Sequence, residues 1–264
     1  MDQQLILKTQ KQSFKKKEKQ YFEESDAIVS LTETGKKEIL SWKLNGVSSE
    51  KIHVIPCCVD LKLFDPGKID PEVLFKKQFE YRLQDKFTVG YVGSIGTWYQ
   101  LREMLLAFKR ILRLKPEAVF LFVTKESPSI IHSEAKNLEI NTDSIRIVSV
   151  QHQHVPEYIS LFDCSIFFIR PSFSKQASSP TKQGEIMAMG IPLICNAGVG
   201  DTDELVNRYQ SGLVLKDTND STIAALSLDF TGFDRERTMQ GAQEYFSLEG
   251  GVTSYYRIYD QFVG

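Results

Sequence analysis

The sequence predicts an α/β fold in which a parallel β-sheet carries helices on both faces. Short apolar runs rich in β-branched and aromatic residues alternate along the chain with longer segments of helical periodicity. Several of these apolar runs lack polar alternation, which is typical of strands that are covered on both faces. The alternating order of strands and helices favours parallel pairing, because a crossover between parallel strands usually contains a helix.

Eight strands are predicted from the apolar runs, at residues 27–31, 52–55, 87–92, 118–123, 145–148, 165–169, 191–195 and 212–215. Helical periodicity places helices between them, at residues 100–114, 129–138, 156–161, 180–189 and 201–208. After Gly250 a final amphipathic helix is expected, with Tyr255, Ile258, Tyr259 and Phe262 on one stripe.

The first 50 residues are predicted to differ from the rest, as a basic amphipathic helix, one strand and a second helix. One strand cannot make a sheet, so this segment is interpreted as the remnant of a preceding domain. The predicted domains are therefore 1–50 (this remnant), 51–248 (the sheet) and 249–264 (a closing helix). An uncovered strand edge would lead the isolated chain to self-associate unless residues before about Ser48 were removed.

Composition and charge narrow the class of protein. The chain has 264 residues, 42% of them hydrophobic, and a formal net charge of −2, so no general attraction to nucleic acid is expected. The four cysteines lack metal-ligand spacing and are interpreted as reduced thiols. No signal peptide or apolar run of the roughly 20 residues that cross a bilayer is found. We expect a cytoplasmic protein.

A short basic run near the start leaves two interpretations open. It is interpreted first as a solvated helix face, and peripheral attraction to a membrane or to a partner is the alternative. Its members are Lys15, Lys16, Lys17 and Lys19.

Loops that follow strands are expected to form the ligand-binding edge, because parallel sheets bind ligands at the carboxyl ends of their strands. The loop after Val92, "GSIGTWYQ", supplies Gly93, Ser94 and Gly96. Its glycines let a phosphate approach the backbone, although the dinucleotide pattern G-x-G-x-x-G is absent and a plain tight turn is the alternative. Arg170 ends another strand and is a candidate phosphate ligand or the partner of a neighbouring carboxylate.

The stretch "SSPTKQGE" places a lysine where the helix dipole favours negative charge. Ser179 is predicted as the N-cap and Pro180 as the first helical residue, so that Lys182 lies in the first turn. Lys182 either forms a surface ion pair with Glu185 or faces an anion together with the N–H groups around Thr181.

Two further polar motifs receive mainly structural interpretations. His152 and His154 could bind a metal, but no carboxylate or cysteine set completes such a site. The preferred interpretations are a loop that packs against the base of a nucleotide, or imidazoles that are merely exposed to solvent. Asp201 is predicted as the N-cap of the helix at 201–208, with Glu204 completing a variant capping box.

Six segments, taken in order, resemble the carboxyl-terminal half of the retaining family 4 glycosyltransferases, which have the GT-B fold. They are "SDAIVSLTETGKKEIL", "KIHVIPCCVDLKLFDP", "VGYVGSIGTWYQLREMLLAFKRI", "VPEYISLFDCSIFFIRPS", "SPTKQGEIMAMGIPLICNAGVGDTDELV" and "EYFSLEGGVTSYYRIYD". The resemblance implies a Rossmann-like domain that holds a nucleotide diphosphate-sugar and transfers the sugar with retention, without a metal or other cofactor. The acceptor would be the hydroxyl of a glycan or a lipid-linked molecule.

The resemblance also implies roles for individual residues. Glu185 would accept hydrogen bonds from the ribose, and Lys182 would face the diphosphate. The catalytic residues implied are thus Lys182 and Glu185. The implied donor-binding set is Gly93, Ser94, Gly96, Arg170, Ser179, Pro180, Thr181 and Glu185.

The sequence departs from the family pattern at three positions. Ala177 stands where a further glutamate is common, and Ser94 and Tyr99 stand where an arginine and a lysine are common. These departures, together with an acceptor-binding half reduced to its last elements, leave two alternatives open. The chain could be an inactive binding or assembly module, or an epimerase of sugar nucleotides with the same fold.

Overall fold

The computed structural model describes the backbone of residues 3–263 and the side chains of residues 14–263. Within that part of the chain the strands are β1 (Ile28–Ser30), β2 (Ile52–Val54), β3 (Thr88–Val92), β4 (Val119–Val123), β5 (Ile145–Val148), β6 (Cys164–Phe167), β7 (Leu193–Asn196) and β8 (Gly212–Leu215). The α-helices there are α1 (Gln3–Glu24), α2 (Glu33–Ser41), α3 (Pro71–Glu80), α4 (Leu101–Leu114), α5 (Pro128–Asn137), α6 (Val155–Ile159), α7 (Thr181–Ala188), α8 (Thr202–Arg208), α9 (Asp220–Ala224), α10 (Arg235–Tyr245) and α11 (Leu248–Tyr259).

All eight predicted strands and the five predicted internal helices are present, each within two residues of the predicted bounds. Three helices, α3, α9 and α10, were not predicted. Helix α3 nevertheless carries a start signal in its sequence: Pro71 is its first residue, and the Asp70 carboxylate accepts the Glu72 N–H at 2.8 Å. Its aromatic residues Phe75 and Phe79 are exposed, so the apolar residues of α3 do not mark one buried face. The helix therefore lacks the periodicity by which a packed helix is predicted.

Six strands form one parallel sheet in the order β5-β4-β3-β6-β7-β8. From β3 the chain builds outward through β4 to β5, then returns to the other side of β3 to add β6, β7 and β8. The strand order therefore reverses between β3 and β6. In such sheets the crevice at the carboxyl ends of the two central strands is where ligands bind.

The centre of the sheet is fully buried, because helices cover both faces. Every residue of β3 and β4 is buried, and the aromatic rings of Phe120 and Phe122 lie 4.0 Å apart at their centroids. Helix α4 adds Phe108, whose ring is 5.1 Å from that of Phe120. The predicted fold class, a Rossmann-like parallel sheet with helices on both faces, is confirmed.

Strands β1 and β2 form a separate parallel pair, with Ile28 opposite Ile52. The strand of the first 50 residues thus finds its neighbour across the predicted boundary at residue 50. The domain boundaries at 50 and 248 stay predictions.

Helix α11 begins at Leu248, three residues before the predicted start at Gly251. Of its predicted apolar stripe only Ile258 is buried, and the other three members are exposed. No helix in the described part of the chain is both long and apolar enough to span a bilayer.

Candidate functional site

A cleft of about 300 Å³ opens at the carboxyl ends of β3 and β4, beside the start of α7. It lies at the edge of the sheet where the strand order reverses. Its lining is apolar at the strand ends and polar toward α7. The lining residues are Val92, Gly93, Ser94, Val123, Thr124, Lys125, Val150, His152, Val155 and Glu185.

Lys182 is buried at the back of this cleft, with 7% of its surface exposed. Its Nζ donates a hydrogen bond to the Tyr91 hydroxyl at 2.8 Å, and it lies 3.6 Å from the centre of the Tyr99 ring. Burial lowers the pKa of Lys182 well below its usual value of 10.5, and the charge of Glu185 opposes this shift. The ammonium form is thus held in a place that disfavours charge, where an anionic ligand would stabilise it strongly.

Gly93 separates Lys182 from the cleft. Its φ of +101° lies in a region that favours glycine, and a Cβ at this position would lie 3.4 Å from the Lys182 Nζ. A ligand that approaches the backbone of Gly93 would therefore come close to the lysine amine.

Glu185, one turn further along α7, lies in the wall of the cleft with 8% of its surface exposed. Its Oε1 is 3.1 Å from Nε2 of His152, whose side chain is 67% exposed and packs edge-on against Phe64. The buried carboxylate of Glu185 thus contacts the exposed imidazole of His152. The sequence interpretation of His152 as base packing or an exposed imidazole did not foresee this pairing.

The predicted site residues fall into two groups. Gly93, Ser94 and Glu185 line the cleft, and Lys182 lies directly behind Gly93. The remaining predicted residues are outside the lining: Gly96, Arg170 and Thr181 are exposed, Ser179 is half-buried and Pro180 is buried.

The predicted N-cap of α7 is wrong. Pro180, rather than Ser179, occupies the cap position, and no side chain caps the helix. The Ser179 hydroxyl instead accepts the N–H of Cys57 at 3.2 Å, which joins the loop before α7 to the segment after β2. The Gln183 N–H donates to the Pro180 carbonyl at 3.0 Å, and with no side-chain cap the N–H groups of Thr181 and Lys182 remain available to a ligand.

Asp201 occupies the N-cap position of α8, as predicted, but the capping box around it is wrong. The Asp201 carboxylate makes no cap on its own helix. It accepts instead the N–H groups of Glu33 (2.7 Å) and Thr34 (3.0 Å), the Thr34 hydroxyl (2.8 Å) and the Tyr245 hydroxyl (2.8 Å). It therefore caps α2, and links that helix to α8 and α10.

The loop at 173–179, which leads into α7, rests on α2. Thr32 donates through its hydroxyl to the Gln176 carbonyl at 3.2 Å, and the Gly200 N–H donates to the Lys175 carbonyl at 2.9 Å. Gly200 has a φ of +49°, and a Cβ there would lie 2.0 Å from the Ser178 carbonyl oxygen. The glycine at this position therefore lets the two loops approach each other.

Several polar residues of the site were missed from the sequence. Tyr91, Thr124 and Lys125 were not predicted, Tyr99 was noted only as a departure from the family pattern, and His152 was considered without its pairing. Tyr91 was read only as part of an apolar strand, since a tyrosine in a buried run gives no sign of its hydroxyl contact.

Among the described side chains no three His, Cys, Asp or Glu residues lie close enough together to hold a metal ion.

Three solved structures resemble this chain in fold. A glycosyltransferase from Rickettsia africae ESF-5 has 19% identity and a TM-score of 0.72, over 92% of this chain and 66% of that one. Sucrose-phosphate synthase from Thermosynechococcus elongatus has 19% identity and a TM-score of 0.69, over 93% and 60%. The Anabaena protein HepE, in complex with UDP and glucose, has 14% identity and a TM-score of 0.67, over 92% and 64%.

The chain therefore spans less than two thirds of the length of these three proteins. Identities this low establish the fold alone. No curated protein matches the chain.

Family membership rests on the sequence profile described as glycosyl transferases group 1, which matches residues 75–238. This range runs from α3 to α10 and includes the cleft, Lys182 and Glu185. Because the match covers more than half of the chain, the chain belongs to the glycosyl transferases of group 1.

Proposed function

We propose that this chain binds a nucleotide diphosphate-sugar in the cleft and acts as the donor-binding part of a retaining glycosyltransferase. One observation carries the proposal: a buried lysine and a buried glutamate from the first two turns of α7 meet the glycine-rich end of β3. This arrangement supplies a cation for phosphate and a carboxylate for vicinal hydroxyl groups within one cleft. Family membership supports sugar transfer as the reaction class.

In this proposal the diphosphate lies between Gly93 and the start of α7. The uncapped N–H groups around Thr181 and the positive end of the helix dipole face it, and the Lys182 ammonium adds a full charge. As the bond between the sugar and the diphosphate breaks, negative charge grows on the leaving group. A fixed cation at that position stabilises the transition state more than the bound donor.

When the diphosphate is bound in this way, Glu185 binds the ribose. A carboxylate can accept two adjacent O–H donors at once, and charged acceptors form the stronger hydrogen bonds. Because His152 holds Oε1 of Glu185 at 3.1 Å, the carboxylate is already oriented in the unliganded cleft. HepE was solved with UDP and with UDP-glucose, which makes uridine nucleotides the first ligands to test.

The wider role is proposed from the family resemblance. The acceptor is a hydroxyl of a glycan or a lipid-linked molecule, and the product contributes to a polysaccharide or glycan made in the cytoplasm or at the inner face of a membrane. An acceptor-binding domain that precedes this segment, or a second copy of the chain, completes the active site.

The proposal is tested by isothermal titration calorimetry with UDP and GDP. Saturable binding of one of them supports it. The absence of binding for both would leave the chain as an assembly module that has lost its donor site.

Glu185→Gln is expected to weaken the binding of UDP and of uridine alike, by roughly 1–3 kcal/mol, because the ribose is common to both. The melting temperature should change little, since the amide keeps the shape of the side chain. Glu157→Gln is the matched control: Glu157 also pairs with a histidine, His154, at 3.0 Å, but lies outside the cleft. A collapsed melting temperature with unchanged affinity would make Glu185 a structural residue.

We also propose that the reaction needs no metal ion, because a lysine ammonium stands where a divalent cation would otherwise neutralise the diphosphate. Treatment with a chelator, followed by titration with UDP in chelator-containing buffer, should leave the affinity unchanged. A loss that magnesium restores would contradict this expectation.

One observation favours a second candidate function. Epimerases of sugar nucleotides with this fold depend on a carboxylate and a histidine at the cleft, and the Glu185 and His152 side chains provide such a pair. Incubation of the chain with a UDP-sugar alone, followed by proton NMR of the anomeric region, separates the candidates. Conversion to an epimer without an acceptor would favour the epimerase, and an unchanged sugar would favour the transferase.

A further inference from the structure

The Lys182 ammonium is enclosed by two tyrosine rings. Its Nζ lies 4.0 Å from the centre of the Tyr91 ring and 3.6 Å from the centre of the Tyr99 ring. The two rings meet edge to face, with centroids 6.0 Å apart and an interplanar angle of 76°. Cations are attracted to aromatic faces within about 6 Å, and more strongly where water is excluded.

Tyr91 is fixed by two hydrogen bonds of its hydroxyl group, one as acceptor and one as donor. Its hydroxyl accepts from the Lys182 Nζ at 2.8 Å and donates to the Ser94 carbonyl at 2.6 Å. The phenol proton is therefore committed to the loop after β3, and the lone pair of the oxygen faces the amine. Burial raises the pKa of Tyr91, which keeps this proton in place.

Tyr99 is fixed through its backbone neighbours. The Gln100 N–H donates to the Phe168 carbonyl at 3.0 Å, and the Arg170 N–H donates to the Trp98 carbonyl at 2.9 Å. These bonds attach the loop that carries Tyr99 to the segment after β6, which fixes the backbone position from which the ring reaches the amine. Its hydroxyl makes no hydrogen bond to a described side chain or backbone atom, so the ring face is the part that acts on Lys182.

The amine retains hydrogen-bonding capacity in this enclosure. An ammonium has three N–H donors, and within the described residues the Tyr91 hydroxyl is its one hydrogen-bond acceptor. Buried polar groups are normally satisfied, so the remaining donors mark a place for a ligand. The charged or titratable groups near the enclosure are Glu185 on α7, Glu126 after β4 and Cys57 after β2.

We propose that Tyr91 and Tyr99 are positioning residues, which hold the Lys182 ammonium behind Gly93 so that it meets the diphosphate of a bound nucleotide. This inference rests on the proposed function and goes beyond it, because it assigns the placement of the cation to two neutral aromatic side chains. A carboxylate partner would neutralise the charge of the ammonium. The two neutral rings stabilise that charge and leave it in place. The full charge therefore remains available to phosphate.

The test compares Tyr99→Phe with Tyr99→Leu. Phenylalanine keeps the aromatic face, and leucine keeps an apolar side chain without it. Calorimetry with UDP should give an affinity within about twofold of wild type for Tyr99→Phe and a loss of roughly 5- to 30-fold for Tyr99→Leu. Uridine should bind equally to all three proteins, because it carries no phosphate.

A second measurement reads the enclosure in the wild-type protein. In lysine-labelled wild-type protein, the ε-methylene protons of Lys182 should show an upfield ring-current shift, identified by its loss in Lys182→Met. A Lys182 resonance at the ordinary position would overturn the proposal, as would a Tyr99→Leu protein that binds UDP as tightly as wild type.

Titration with inorganic pyrophosphate distinguishes failure of the enclosure from failure of the proposed function. If pyrophosphate binds in a manner that depends on Tyr99, while UDP binds no more tightly, the enclosure holds an anion and the nucleotide function is wrong. If UDP binds and Tyr99→Leu has no effect, the nucleotide function stands and the positioning role is wrong. If neither ligand binds, both are wrong.

Discussion

Lys182→Met is expected to weaken UDP binding by roughly 10- to 100-fold and to leave uridine binding unchanged. The lost interaction is a charge-assisted contact with phosphate, which contributes on the order of 1.5–3 kcal/mol. Methionine matches the length of the buried stem and introduces no polar atom that requires a partner. Calorimetry with both ligands measures the difference, and equal losses for UDP and uridine would exclude a phosphate role.

The same substitution should raise the free energy of unfolding, by about 1 kcal/mol or more, because it removes a cation from a buried place that disfavours charge. Burial lowers the pKa of folded Lys182 below the 10.5 of the unfolded chain. Between pH 10.5 and the pKa of folded Lys182, the unfolded chain is protonated before the folded chain, so wild type loses stability as the pH falls through this interval. The advantage of the variant should grow with falling pH and level off below the pKa of folded Lys182.

Lys77→Met is the matched control for both measurements. Lys77 also lies over a tyrosine ring, that of Tyr158 at 4.2 Å, and pairs with Glu157 at 3.2 Å, but it is outside the cleft. Its replacement should change neither ligand affinity. A Lys182→Met protein that melts below wild type and still binds UDP would make the lysine a structural residue.

Asp201→Ala is expected to lower the free energy of unfolding by about 3 kcal/mol or more. Asp201 is only 5% exposed, and its removal leaves the N–H groups of Glu33 and Thr34 and the Tyr245 hydroxyl without their acceptor. It also removes a negative charge from the amino-terminal end of α2, where the helix dipole favours one. Urea denaturation measures the effect.

Glu204→Ala on the same helix is the control. Glu204 is exposed and pairs only with Arg208 at 3.1 Å, so its loss should change stability by no more than about 0.5 kcal/mol. Asp201→Asn should fall between the two alanine variants, since the amide keeps one acceptor oxygen. Similar midpoints for Asp201→Ala and Glu204→Ala would show that the carboxylate does not hold α2.

The strands could be predicted because each is an apolar run between turn residues, a local signal that survives in the folded chain. Strand order could be inferred only as far as parallel pairing, since the return from β5 to the far side of β3 is a long-range property. The short helix α9 lacks a long periodic pattern, and α10 has few buried residues, so neither shows the apolar periodicity that would predict a helix.

The candidate site was predicted where local chemistry is unusual. A lysine in a first helical turn stands out in the sequence, and so does a glycine that ends a strand. The contacts of Tyr91 and Tyr99 with Lys182, and of His152 with Glu185, join residues far apart in sequence, and nothing local marks them. For the same reason the carboxylate of Asp201 was assigned to the wrong helix: its spacing to Glu204 fits a capping box, but the backbone N–H groups that it accepts are 168 and 167 residues away.

The contact of α2 with the loop at 173–179 has a consequence for ligand affinity. The Gln176 carbonyl is held by Thr32, which belongs to the first 50 residues, and α2 is held in turn by Asp201. A loop that is ordered before the ligand arrives does not lose conformational entropy on binding. Thr32 and α2 would therefore tighten the proposed nucleotide binding through preorganisation, although neither lines the cleft.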